Sequence, residues 1–515
     1  MMKTIKITAG LCALAFMLIM ASCTDGYKDD SSFDSGVHNQ VLKTLLADDI
    51  SCTLSATGDA VTISWPVVYG AGGYRFALYN NDDPDVPVTL VEPTIVDACS
   101  YTYDGINSDS KYSVEVQALG KTDFQPNNDN KDAESQTTKV FTTISETYKT
   151  IPGGDEGNPT DLIAWFGENP IPTAGSDDLN DEAGAPLELA YQLEADKYYI
   201  INDSILDLTN IVPKAEGELG NPLSHKIILR GEKAGHAKVK LVKKGAFGSQ
   251  SGMSIKFIDI DASEVSSNKG VLTMPATPDE NIKASTGQYI VFAPVVFQSC
   301  NINDVNGYLV FDNSQKYCYE NLVFKDCVVK FGTSPCGFKM EAGSYIYLTL
   351  QNSTFWCTIE DWASAFSATT YFFRVGGNSA FKINNLNDVC YAVGGCTINC
   401  CTFYNIVKTG QMANWNQYNG RSQITLDIQK NIFVDTSQSQ VFRRLCSNGN
   451  NTTVYGQNTE WLDGEETSAT KDSLTKEQVF LLSQPFDFTK AKQGDFTVTG
   501  EEQLAQKTGD PRWLP

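Results

Sequence analysis

Phe297-Gln298-Ser299-Cys300-Asn301-Ile302 returns as Phe324-Lys325-Asp326-Cys327-Val328-Val329, then as Leu350-Gln351-Asn352-Ser353-Thr354-Phe355. It returns again as Ile398-Asn399-Cys400-Cys401-Thr402-Phe403 and as Ile428-Gln429-Lys430-Asn431-Ile432-Phe433. Its fourth position is always a small or amide residue, and the copies are spaced by 27, 26, 48 and 30 residues. With the 48-residue step taken as two, this is the period of a solenoid, whose units bury their apolar faces only by stacking on neighbours. The units are rich in β-branched and aromatic residues, as in Ile424-Thr425-Leu426-Asp427-Ile428, and show no helical period between copies. Alternation of this kind, with strands too far apart for tight hairpins, predicts a parallel β-helix with Cys300, Cys327, Ser353, Cys401 and Asn431 in one stack. Weaker coils are expected around Ile201, Ile228 and Phe257, and residues 263–288 are expected to bulge out as a loop.

The chain has 515 residues and a formal net charge of −23. So acidic a protein lacks the basic face that nucleic-acid backbones require. Residues 380–459 depart from this, with Lys382, Lys408, Arg421, Lys430, Arg443 and Arg444 against Asp388, Asp427 and Asp435. That window reads either as a site for an acidic ligand or as scattered solvated charge. Fourteen cysteines accompany only three histidines, His38, His225 and His236. With no histidine near the cysteines, buried thiols fit better than a zinc site. Cys52 with Cys99 is the pair to test as a disulfide.

Residues 1–22 read as a signal peptide, with Lys3 and Lys6 before an apolar stretch from Leu11 to Met20, and Ala21-Ser22 directly before Cys23. Residues 48–145 read as seven short strands separated by turns, with Trp65 ending the second and Tyr112 opening the sixth. A Pro-, Gly- and Asp-rich passage at 146–186 reads as a linker, and 187–515 as the coil.

These segments carry four resemblances. Residues 1–22 with Cys23 resemble a bacterial lipoprotein signal, which implies that Cys23 becomes a lipidated N-terminus. Residues 23–47, opening Thr24-Asp25-Gly26-Tyr27-Lys28-Asp29-Asp30, resemble the acidic tether of surface-exposed Bacteroidetes lipoproteins. The 48–145 segment resembles a fibronectin type III domain, with Tyr112 as its corner tyrosine. Ile227-Ile228-Leu229-Arg230-Gly231 and the terminal Asp510-Pro511-Arg512-Trp513 complete a likeness to the pectate-lyase-like β-helix proteins of Bacteroidetes. In those proteins the coil is split between two domains of unknown function, which here implies a boundary near 375. The expected fold is therefore all-β, a fibronectin type III-like sandwich followed by a right-handed parallel β-helix. The implied setting is an outer-membrane, lipid-anchored, surface-exposed protein that captures an acidic, pectin-like polysaccharide, in company with an outer-membrane glycan importer.

Two kinds of site compete within that frame. Eliminating a uronic acid glycan needs a base and a counter-charge for the carboxylate, calcium in many such enzymes. Arg374, Arg421, Arg443 and Lys408 are the candidate bases, and each equally reads as a surface charge. Asp259 and Asp261, two apart on a strand, share a face; Asp177 and Asp178 form a second acidic pair. Binding would instead use aromatic platforms beside hydrogen-bonding groups. Trp415, Tyr418 and Arg421 supply these in one polar loop. Trp356, Trp362, Tyr371, Phe373 and Arg374 form a second cluster, in which Trp356 and Phe373 also read as caps on the solenoid core. The leading expectation is glycan binding. A polysaccharide lyase on the same scaffold and an adhesin are the alternatives.

Overall fold

A computed structural model of the chain describes residues 37–54, 60–82, 86–107, 109–174, 180, 187–212, 224–284, 287–332, 336–359, 370–375, 394–414, 424–437, 441, 445, 452–462, 465–466 and 488–515. The chain divides into two compact units, Met1–Glu146 and Thr147–Pro515.

The first unit holds seven antiparallel strands in two sheets. Ser51–Leu54, Ala60–Ser64 and Ser100–Asp104 form one; Val88–Val96, Gly73–Asn80, Lys111–Leu119 and Thr137–Thr142 form the other. Alternation places Val61, Ile63, Phe76, Leu78, Val114 and Val116 in a shared core. Trp65 stacks on Phe76 at 5.8 Å, and Phe76 stacks on Tyr101 at 4.4 Å. Tyr112 is fully buried, and its hydroxyl donates to the Asn107 carbonyl at 3.1 Å while accepting from the Asn107 N–H at 2.8 Å. Cys52 and Cys99 are not joined in a disulfide; burial pushes the Cys52 thiol up to about 11.

The second unit is a right-handed parallel β-helix. Among the described residues two sheets of eleven strands and one of seven build it, and the parallel pairs join one coil to the next; Tyr289–Val291 and Val295–Gln298 share a coil, and Glu465–Glu466 pairs antiparallel with Thr459–Leu462. One coil shows the plan: Val295–Gln298 lies in the first sheet, Asn301–Val305 in the second and Tyr308–Phe311 in the third. Like stacks on like inside, with Phe297 on Phe324 at 5.0 Å, Phe355 on Phe403 at 5.1 Å and Phe403 on Phe433 at 4.9 Å.

The recurring phrase is the corner between the first and second sheets. Its third residue takes left-handed backbone at Phe257, Ser299, Asp326, Asn352, Cys400, Lys430 and Gln457, with φ between 49° and 56°. A single left-handed residue redirects the chain from one sheet to the next. Its N–H then bonds the coil above, as from Ser299 to the Lys325 carbonyl at 3.0 Å and from Asn352 to the Asn399 carbonyl at 3.1 Å. The following residue, Ile258, Cys300, Cys327, Ser353, Cys401, Asn431 or Asn458, is fully buried. Polar members of that stack answer buried backbone groups. Ser353 Oγ accepts from the Cys327 N–H at 3.0 Å, and Asn431 Oδ1 from the Cys401 N–H at 2.9 Å. Asn431 Nδ2 donates to the Ile398 carbonyl at 2.6 Å, and Asn458 Nδ2 to the Ile428 carbonyl at 2.9 Å. The thiols of Cys300 and Cys327 reach the Ile255 and Phe297 carbonyls, each at 3.4 Å. From Cys300 to Asn458 a small or hydrogen-bonding side chain serves these groups, whereas Ile258 fills the same place with an apolar one.

Several expectations need correction. The 48-residue step is one coil, because Leu350 pairs directly with Ile398; the extra residues are an insertion. The 146–186 passage is not a plain linker, since Thr147–Ile151 and Thr160–Asp161 already pair in parallel with the next coil. Ile201, Ile228 and Phe257 are not equivalent: they sit in the second sheet, the first sheet and a corner. The supposed bulge at 263–288 contains Gly270–Thr273, a third-sheet strand.

A short helix covers one end of the apolar core. Helix Leu162–Glu168, N-capped by Asp161, sets Trp165 and Phe166 against Tyr191 at 6.0 and 5.0 Å. Near the other end, residues 488–514 strap the outer face of the second sheet. Phe488, Phe496 and Val498 pack there on Trp356, Ile432 and Val434. The Asp510-Pro511-Arg512-Trp513 motif pins the strap. Thr354 Oγ1 donates to Asp510 Oδ2 at 2.7 Å and accepts from Trp513 Nε1 at 2.8 Å; Arg512 Nε lies 3.0 Å from Asp510 Oδ2. Gly509, at φ +96°, lies so close to the coil that a Cβ would stand 2.8 Å from Ile432. The motif is therefore a structural fastening.

Two outcomes follow from these contacts. Asn431→Ala removes the partners of the Cys401 N–H and the Ile398 carbonyl, and is expected to cost about 2 to 4 kcal/mol in urea denaturation. The Asp510 carboxyl is pushed up to about 6, chiefly by burial, with Arg512 opposing. Its folded pKa exceeds the unfolded value of about 3.9, so its stabilising contribution is complete below pH ~4 and lost as pH rises through 6. Denaturation at pH 4, 5, 6 and 7 should show the stability advantage of wild type relative to Asp510→Asn shrinking across that interval.

Candidate functional site

The outer faces of the sheets differ sharply. Along the second sheet, the strap covers Trp356, Ile432 and Val434. Further toward the N-terminus, Asp259 is already engaged, with His236 Nδ1 at 3.0 Å and Asn301 Nδ2 at 2.7 Å. Burial raises its pKa, but those hydrogen bonds outweigh it and the carboxyl stays below its ordinary value. Asp261 is in register with Lys240 and Asn303 on the same sheet. The third sheet presents a different combination.

Register builds its outer row. Thr273 pairs with Phe311, Phe311 with Lys339, Lys339 with Arg374, and Arg374 with Asn414. The alternate residues Leu272, Val310, Phe338, Phe373 and Ala413 face the core, which sends the row outward. Neighbours in it are one strand spacing apart, roughly 4.8 Å. Tyr308 lies beside Phe311 with ring centroids 5.6 Å apart, and the Lys269 ammonium stands 5.5 Å over the Phe311 ring. Glu341, two residues beyond Lys339, pairs with the Lys339 ammonium and, at 2.9 Å, with Arg374 Nη2. The Lys339 hydrogen bond holds the Glu341 carboxyl below its ordinary range, against some desolvation. Behind the row, burial pushes the Cys336 thiol up to about 12, with Lys339 and Arg374 pulling the other way. Burial also raises the Tyr308 phenol.

This arrangement offers two aromatic rings and three cations, Lys269, Lys339 and Arg374, with one resident carboxylate. Rings of that kind stack on apolar sugar faces, and the cations bond carboxylates. The planar guanidinium of Arg374 offers a charge and a fork of donors suited to a carboxylate.

Of the residues singled out from sequence, Arg374 lies in this row, its side chain 47% exposed. Tyr371 shares its strand, in register with Gln411. Lys408 stands apart, paired with Asp435 at 3.5 Å. Trp356 and Phe373 do not join an aromatic platform: Trp356 lies under the strap against Phe496, and Phe373 faces the core. Cys23, Trp362, Trp415, Tyr418, Arg421, Arg443 and Arg444 lie outside the described residues, as do Asp177 and Asp178. Trp415 directly follows Asn414, the partner of Arg374. Sequence reasoning missed Tyr308, Phe311, Lys339 and Glu341. Alternation in Phe338-Lys339-Met340 does mark the outward position of Lys339, but Tyr308-Leu309-Val310-Phe311 does not alternate, since Leu309 and Val310 are both buried. Among the described residues, no group of three His, Cys, Asp or Glu side chains is placed to hold a metal, and no helix is long and apolar enough to cross a membrane.

Comparison with known proteins gives little beyond this. No curated protein matches the chain. Among solved structures, it resembles pectate lyase Pel3 from Pectobacterium carotovorum at 11% identity, over 86% of this chain and 98% of that one, with a TM-score of 0.13. It also resembles pectate lyase PelI from Erwinia chrysanthemi, solved in complex with tetragalacturonic acid, at 11% identity over 84% and 97%, with a TM-score of 0.13. At such TM-scores neither likeness carries an argument, and the β-helix rests on the strand pairing above. Residues 4–196 match the domain of unknown function DUF4992, 218–358 match DUF4957 and 396–513 match DUF5123. The chain thus carries three domains of unknown function in tandem, the second and third lying within the β-helix unit.

Proposed function

We propose that this protein is a surface lipoprotein that binds an acidic, pectin-like polysaccharide along the outer face of the third sheet. The observation that carries the reading is the placement of Lys339 and Arg374 in adjacent strands beside Phe311 and Tyr308. A polyuronate laid across the coils would meet an aromatic ring and then two cations in succession. Trp415, Tyr418 and Arg421, which follow Asn414 in sequence, would be further contacts for the glycan. The anchor would be Cys23 after cleavage of residues 1–22, with the seven-stranded unit, read as a fibronectin type III module, as a spacer. That placement suits delivery of captured glycan to an outer-membrane importer. Binding is preferred over elimination because Arg374 is ion-paired with Glu341, and Lys408 with Asp435.

Titration of protein beginning after residue 23 with polygalacturonate should show saturable, salt-sensitive binding and no rise in ultraviolet absorbance from unsaturated uronides. Lys339→Ala and Arg374→Ala are each expected to weaken binding by roughly tenfold, the scale of one charge-assisted hydrogen bond. Undiminished binding by the double variant would remove this face from the account, and an absorbance rise would replace binding with elimination.

A further inference from the structure

Glu341 stands where a ligand carboxylate would have to stand. Its Oε1 meets both Lys339 and Arg374, the two cations that are neighbours across the coil. Among the described residues neither cation has another hydrogen-bonded or ion-paired side-chain partner. The Glu341 side chain is 42% exposed, Arg374 47% and Lys339 17%, so the Glu341–Arg374 pair is open to exchange with a solute while the Lys339 ammonium is held further in. Lying two residues after Lys339 on the same face, Glu341 offers the chemical group that a uronic acid offers. Exposed pairs of this kind are weak, because water and salt compete for both partners.

Resting on the binding function proposed above, we infer that Glu341 is an internal competitor that occupies the carboxylate position of the row and is displaced by a uronate of the bound glycan. A polymer rich in free carboxylates can make that exchange. A neutral or methyl-esterified polymer cannot, and it leaves the ion pairs closed. Glu341 therefore acts as a specificity determinant, setting affinity as a difference between two carboxylates rather than as the whole strength of the cations.

The test is calorimetric titration of de-esterified and highly methyl-esterified polygalacturonate into wild type, Glu341→Gln, Arg374→Ala and Glu264→Gln. Glu264 pairs with Lys240 on the second sheet and controls for the loss of one negative charge elsewhere on the coil. Glu341→Gln should tighten binding of the de-esterified polymer by roughly fivefold, the scale of one exposed ion pair. Glu264→Gln should leave it unchanged, and the esterified polymer should bind weakly to both wild type and Glu341→Gln. Equal tightening by Glu264→Gln would reduce the effect to overall charge and overturn the inference. Glu341→Gln that leaves affinity unchanged, or weakens it as Arg374→Ala does, would also overturn it, the latter making Glu341 a support for the cations. Wild type that fails to bind, or Arg374→Ala that binds as wild type does, would overturn the site assignment and the inference together.

Discussion

One left-handed residue per coil, followed by one buried residue with a small or hydrogen-bonding side chain, is the constraint on which the second unit depends. At Ser299, Asp326, Asn352, Cys400 and Lys430 the chain turns from the first sheet to the second. The turn's N–H and the next residue's side chain then tie that corner to its neighbours. Buried backbone groups left without partners are costly, so a solenoid corner must answer its N–H and C=O groups coil by coil. Serine, asparagine and cysteine do this at successive levels with different atoms. Their variety reflects which carbonyl or N–H lies within reach, not a change of role.

Once the corner is set, the coil has three outward faces with separate fates. The apolar stretch of the second sheet around Trp356, Ile432 and Val434 is closed by the chain's own terminal segment, fastened through Asp510, Thr354 and Trp513. That explains why so specific a motif as Asp510-Pro511-Arg512-Trp513 needs no chemistry. Its carboxylate is spent on the Thr354 hydroxyl and its own arginine, and the Asp510 N–H on the Thr402 hydroxyl. Around Phe311, Lys339 and Arg374 the third sheet has aromatic rings and cations at its surface and, among the described residues, no such strap. Function is assigned there because charge, exposure and ring placement coincide.

Much of this architecture was legible in the sequence. The fourth-position stack, Cys300 through Asn431, is present in the structure, and Tyr112 is tied by its hydroxyl to backbone five residues earlier. What failed was counting. A period cannot distinguish two short coils from one coil with an insertion, and only the pairing of Leu350 with Ile398 decides between them. Arg374 could be singled out as a charge on a strand, but Lys339 and Phe311 could not be joined to it. They lie 35 and 63 positions away, and the union depends on register across third-sheet strands too short to show a pattern. Trp356 follows its reading as a buried aromatic, but under a returning strap rather than as a cap on the core, because an aromatic beside polar residues looks the same from sequence in either place.

The most direct test of the account is a crystal structure of the protein bound to a trigalacturonate or longer oligomer. The account predicts sugar density along Phe311, Lys339 and Arg374, with a uronate carboxylate on the two cations. Density confined to the His236–Asp259 face of the second sheet, or to the seven-stranded unit, would contradict it.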